Sequence, residues 1–73
     1  MNNIIRKELF KSLESKYLSE IQGGKSTLMI YFNNPVAIGE HPQHLEEMDK
    51  KLEEITEAED KLNTLTRYFK EYQ

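Results

Sequence analysis

IQGGKSTLMI, residues 21–30, decides the fold, because its two glycines either end a helix or lie inside one. Upstream, Ile5, Leu9 or Phe10, Leu13, Tyr17 and Ile21 recur at helical spacing, with Arg6, Lys7, Glu8, Lys11, Glu14, Lys16 and Glu20 between them. Gly23 and Gly24 would each cost ~1 kcal/mol in a helix relative to alanine. The next residues, STLMIYF (26–32), are β-prone by composition. Two folds follow. If the helix stops at Gly23, residues 26–32 form a strand, the architecture is α-β-α, and that strand pairs with another chain because none exists within this one. If the helix continues, the series Phe10, Leu13, Tyr17, Ile21, Gly24, Leu28, Tyr31 runs on in steps of three and four. Gly24 then falls on the helix seam, where a missing side chain lets an opposing helix approach closely. The unbroken phase favours the continuous helix, spanning about residues 3–33.

The second half of the chain is simpler. From His44 onward Leu45, Met48, Leu52, Ile55, Ala58, Leu62, Leu65, Phe69 and Tyr72 recur at steps of three and four, and neither glycine nor proline intervenes. Glu46/Lys50, Glu47/Lys51 and Glu57/Lys61 are i,i+4 pairs of favourable orientation, each adding ~0.2–0.5 kcal/mol. The steps alternate as in a coiled-coil seam, except near Ala58, where two threes follow one another. This predicts a helix over about 42–71. Between the helices, Asn33-Asn34-Pro35 ends the first, asparagine tolerating a left-handed ending and proline refusing to continue. Pro42 suits the first turn of the second helix. Val36 and Ile38 are expected to fold back over the hairpin end.

The expected fold is therefore all-α: one domain over residues 1–73, an antiparallel hairpin pairing residues whose numbers sum to roughly 75. Gly24 would meet Leu52, Tyr17 would meet Ala58, Leu13 would meet Leu62, and Phe10 would meet Leu65. Charge agrees, since residues 6–25 carry five cations against three anions and residues 46–61 carry three against eight. A chain of 73 residues removes only about 60% of its unfolded surface from water. Without cysteine it has no disulfide to add, so helix packing and association remain. LMIYF at 28–32 is apolar around the whole circumference, more than one partner helix covers. Leu18, Leu28, Met29, Ile30, Tyr31, Phe32, Tyr68 and Tyr72 are the expected interface residues of a homodimer forming a four-helix bundle.

Several chemistries are set aside. GGKST resembles the end of a Walker A loop, but G-x-x-x-x-G-K-[ST] needs its first glycine at position 19, which is Ser19. Glu40, His41 and His44 could offer three ligands to a divalent ion, yet His-x-x-His with one carboxylate lacks the fixed fourth ligand of a structural site, and helix-start electrostatics account for Glu40 as well. No cofactor and no catalytic grouping of serine and histidine is expected. The net charge of −3 argues against nucleic acid as partner; the alternative reading is a small regulator using a basic face of Arg6, Lys7, Lys11 and Lys16. MNNIIRKELF lacks an apolar signal core, and no run approaches the ~20 apolar residues that span a bilayer. A cytoplasmic location is the expectation.

NNPVAIGEHP (33–42), followed by an acidic helix with EEITEAEDKL (53–62), resembles a family of small uncharacterised proteins encoded by tailed bacteriophages, marine ones included. The likeness covers about residues 28–69. It implies a helical hairpin, a phage source with the host cytoplasm as location, and no enzymatic activity, cofactor or established binding residue. Gly23-Gly24 departs from the alanine-rich helix expected there. The function expected is that of a non-enzymatic protein–protein interaction module that self-associates and docks on another protein.

Overall fold

Helix α1, Asn2–Phe32, passes through both glycines without interruption. A computed structural model describes residues 2–34 and 43–73; the connection carrying Val36, Ile38 and Pro42 lies outside them. Helix α2, Gln43–Phe69, is followed by a single 3-10 turn, Lys70–Tyr72. No strand occurs among the described residues, so the α-β-α alternative is overturned. The two helices pack along their length as an antiparallel hairpin 57 Å long and 16 by 14 Å across.

The glycines divide the explanation between them. A Cβ on Gly24 would stand 2.6 Å from Ile55 Cγ1 and 3.0 Å from its Cδ1, closer than side chains tolerate, so the absent methyl is what lets α2 approach. Gly23 has nothing within 4 Å of that position and points away from the seam. Its carbonyl accepts a 3.0 Å hydrogen bond from the Thr27 hydroxyl one turn on. The helix thus absorbs two poor helix formers because one is required by packing and the other costs only its propensity.

The seam of α2 differs from the expected one. Met48, Ile55, Ala58 and Leu65 are buried, and His44, Lys51 and Leu62 are half-buried. Read together with Phe69, these positions step four and three in strict alternation, and the irregularity near Ala58 disappears. Leu52 is 52% exposed and Leu45 is also exposed; each sits one residue, ~100° of rotation, past the seam position it was expected to fill. Gly24 therefore meets Ile55, with the Lys51 carbonyl 3.8 Å away, and does not meet Leu52. The same correction holds elsewhere: Arg6 lies over Tyr72, Lys61 over Tyr17, and Tyr31 bonds to Glu47, pairs whose numbers sum to 78 rather than 75. Lys51 can hold a seam position because its aliphatic stem packs while its ammonium reaches Glu54 at 3.3 Å.

On α1, Phe10, Gly24 and Leu28 are buried and Glu14, Tyr17, Ile21 and Tyr31 half-buried, again at alternating steps of four and three. Leu28, Met48 and Ile55 form the central cluster, with Ile21 and Tyr31 packed against it. The end of α1 is closed by side chains rather than by a left-handed residue, since no described residue has positive φ. Asn33 Nδ2 donates to the Met29 carbonyl at 2.7 Å and Asn34 Nδ2 to the Ile30 carbonyl at 2.9 Å. The Met29 carbonyl also accepts the Asn33 backbone N–H at 3.1 Å and the Tyr31 carbonyl accepts that of Asn34 at 3.1 Å, so backbone and side chains share the acceptors of the last turn.

Candidate interaction surface

Two helices have one mutual face, and this chain carries more apolar surface than that face takes up. Six hydrophobic residues are buried among the described ones, while twelve large hydrophobic side chains remain exposed. The arrangement of those twelve defines the candidate site.

At the open end of the hairpin, Leu9 and Leu13 of α1 and Leu65 and Phe69 of α2 wall an apolar groove of about 370 Å³. Phe10 forms its floor, and Tyr72 closes it where the 3-10 turn folds the chain back, its ring 6.4 Å from that of Phe69. Arg6 stands at the rim with its guanidinium 5.4 Å from the Tyr72 ring centroid, a cation–π contact that orients both groups. Tyr68 and Ile5 are exposed nearby in sequence, Tyr68 beneath Arg67 at 5.8 Å.

At the closed end Met29, Ile30, Phe32 and Leu45 are exposed. The expected interface residues thus separate into groups. Leu18, Met29, Ile30, Phe32 and Tyr68 are exposed and available. Leu28 is 7% exposed and belongs to the hairpin's own core, which corrects its assignment to an interface. Tyr31 and Tyr72 are half-buried within the hairpin. Leu9, Leu13 and Phe69, which the sequence assigns to the helix seams rather than to an interface, line the groove. The signal was the neighbouring pair Leu9-Phe10: two adjacent apolar residues on one helix cannot both face the same seam.

Tyr31 is the polar anchor of the closed end. Its hydroxyl donates a 2.7 Å hydrogen bond to the Glu47 carboxylate and its ring lies 5.4 Å from that of His44. The bond to Glu47 holds the phenol's proton and raises its pKa above the ordinary value, with loss of solvation and the carboxylate's charge adding to the effect. Of the metal candidates, His44 sits here, while Glu40 and His41 lie outside the described residues. Among the described residues no three histidine, aspartate or glutamate side chains gather in a way that could hold an ion.

The glycine stretch forms no phosphate cradle. Gly23 and Gly24 border a notch whose other walls include Glu20, Glu54 and Glu57 together with Lys51 and Lys61. The surrounding N–H groups belong to the middle of α1 and are spent in its ladder. The basic residues do not form one face either. Arg6 is engaged with Tyr72, and Lys16 pairs with Glu20 at 2.7 Å, which raises the lysine's pKa. By the heptad phase Arg6 and Lys16 flank the seam on one side and Lys11 on the other.

The fold and this surface define a class, a two-helix hairpin with a surplus of exposed apolar side chains. Compared with protein-family models, curated proteins and solved structures, the chain matches none of them.

Proposed function

We propose that this chain is a non-enzymatic protein–protein interaction module that associates with a second copy of itself, as a dimer of hairpins in a four-helix arrangement. The observation that carries this reading is the imbalance of twelve exposed large hydrophobic side chains against six buried residues. Exposed apolar residues scattered singly are ordinary, whereas a concave cluster contributed by two elements marks a contact surface. The groove is lined by no serine, cysteine, histidine or carboxylate and by one cation, Arg6, whose guanidinium lies over the Tyr72 ring. That chemistry suits packing against another chain and offers nothing to bond making.

The competing reading, a nucleic-acid regulator, draws less support because its four cations lie on different sides of the helix and two of them have partners. No described helix is long and apolar enough to cross a membrane. Sedimentation equilibrium over the micromolar range tests the proposal. The mass of two chains is expected, and a folded monomer across the whole range would defeat it.

A further inference from the structure

Resting on that self-associating reading, we infer that the seam of association is the open-end groove and that its occupant is the open end of a second copy. The amount of surface argues for an occupant of this size. A compact protein of 8.7 kDa exposes about 4,700 Å². This chain exposes 5865 Å², about 1,100 Å² more than that scaling gives. That excess follows from the hairpin's 57 by 16 by 14 Å shape, and it leaves room for the about 800 Å² that one partner contributes to a stable interface.

Position argues for the open end. The heptad phase places Leu9 and Leu13 on the same flank of the hairpin as Tyr68, so both helices supply one continuous apolar wall there. Met29, Phe32 and Leu45 fall on the opposite flank at the other end. A two-fold axis brings a patch against its own copy, so one face-to-face contact uses one of these patches and leaves the other free. The open-end patch is concave and lined by six apolar or aromatic residues with Arg6.

Charge selects the orientation. With the axis along the hairpin and the open ends together, the cation-rich α1 of one copy lies on the anion-rich α2 of the next. An α1-on-α1 arrangement would instead set Arg6 and Lys16, which share the flank of Leu9 and Leu13, against the same residues of the second copy.

The test uses the full chain by sedimentation equilibrium, with circular dichroism to confirm retained helix. Leu9 is 61% exposed and Phe32 is 68% exposed, so replacing either removes little from the hairpin's own core. Leu9→Lys is expected to weaken dimerisation by about tenfold or more, and Leu9→Ala, which keeps the best helix former at that site, by a smaller factor. Phe32→Lys is expected to stay within about twofold of the parent. If Phe32→Lys weakens the dimer as much as Leu9→Lys, or if both Leu9 variants match the parent, the inference is overturned while self-association stands. A wild-type chain that stays monomeric removes the self-associating reading, and this inference with it.

Discussion

The two helices of this hairpin distribute their apolar residues differently. In α2 they follow one stripe, and four large ones are left exposed: Leu45, Leu52, Tyr68 and Phe69. In α1 they lie on every side, and Ile4, Ile5, Leu9, Leu13, Leu18, Met29, Ile30 and Phe32 are all exposed. A helix with one apolar stripe has enough to satisfy one neighbour, and a helix apolar on several sides requires more than one. The difference assigns the roles: α2 fixes the hairpin, and α1 holds the hairpin while offering surface to something else. The charged residues agree, since α2 has a strongly acidic outer face that repels nonspecific contact and α1 does not.

The largest expected effects come from striking the point where α2 fixes α1. Gly24→Leu inserts a full side chain where a single Cβ would already lie 2.6 Å from Ile55 Cγ1. Overpacking of this kind costs ~1–3 kcal/mol and occasionally more, and on a hairpin with six buried hydrophobic residues among the described ones that is enough to separate the helices. Urea denaturation followed by circular dichroism, at one fixed protein concentration, reads the loss. A comparable change is expected from Ile55→Ala, about 2–4 kcal/mol from the deleted methylenes and the space left behind. Leu52→Ala, three residues away, should cost less than about 1 kcal/mol because that side chain is off the seam. Equal losses at 52 and 55 would return the register to the one the sequence suggested.

That register was the main structural feature the sequence did not yield. Helix limits of about 3–33 and 42–71 lie close to Asn2–Phe32 and to Gln43–Phe69 with its following 3-10 turn, and the passage through the glycines followed from phase alone. At residues 44–52, however, a hydrophobic reading selects Leu45 and Leu52 over His44 and Lys51, as local burial would. The hairpin needs one repeat maintained over the whole contact, and Met48, Ile55, Ala58, Leu62 and Leu65 outvote two leucines. The groove was hidden for a related reason. Leu9 and Phe10 competed for one seam position, and only the three-dimensional packing shows which of them turned inward.

A medium effect of opposite sign separates the two glycines. Gly23→Ala meets no atom within 4 Å and keeps the helix, so it should stabilise the hairpin by ~1 kcal/mol, the propensity difference. Gly24→Ala gains the same propensity and loses more to Ile55, for a net loss. Melting curves of the two variants should therefore fall on opposite sides of the parent. If both stabilise, α2 can retreat from Gly24 and the seam is softer than its geometry implies.

The smallest effect concerns the hydrogen bond that joins the Tyr31 side chain of α1 to the Glu47 side chain of α2 at the closed end. Tyr31 donates to Glu47, and the folded state raises the phenol's pKa above its ordinary value of 10.0. A raised pKa means that the folded chain holds the proton more tightly than the unfolded one, so the contribution is complete below the unfolded value and disappears as pH climbs through the folded one. Tyr31→Phe removes the donor and the titration together. The parent should melt slightly above Tyr31→Phe near pH 8, and the gap should close as pH rises beyond about 10. Because Tyr31 packs its ring against the central cluster as well, a Tyr31→Ala variant should melt lower than Tyr31→Phe at every pH, by an amount that does not follow the phenol's titration. A gap between parent and Tyr31→Phe that persists unchanged to about pH 11 would assign the anchor to ring packing and leave the bond to Glu47 without a share in holding the helices together.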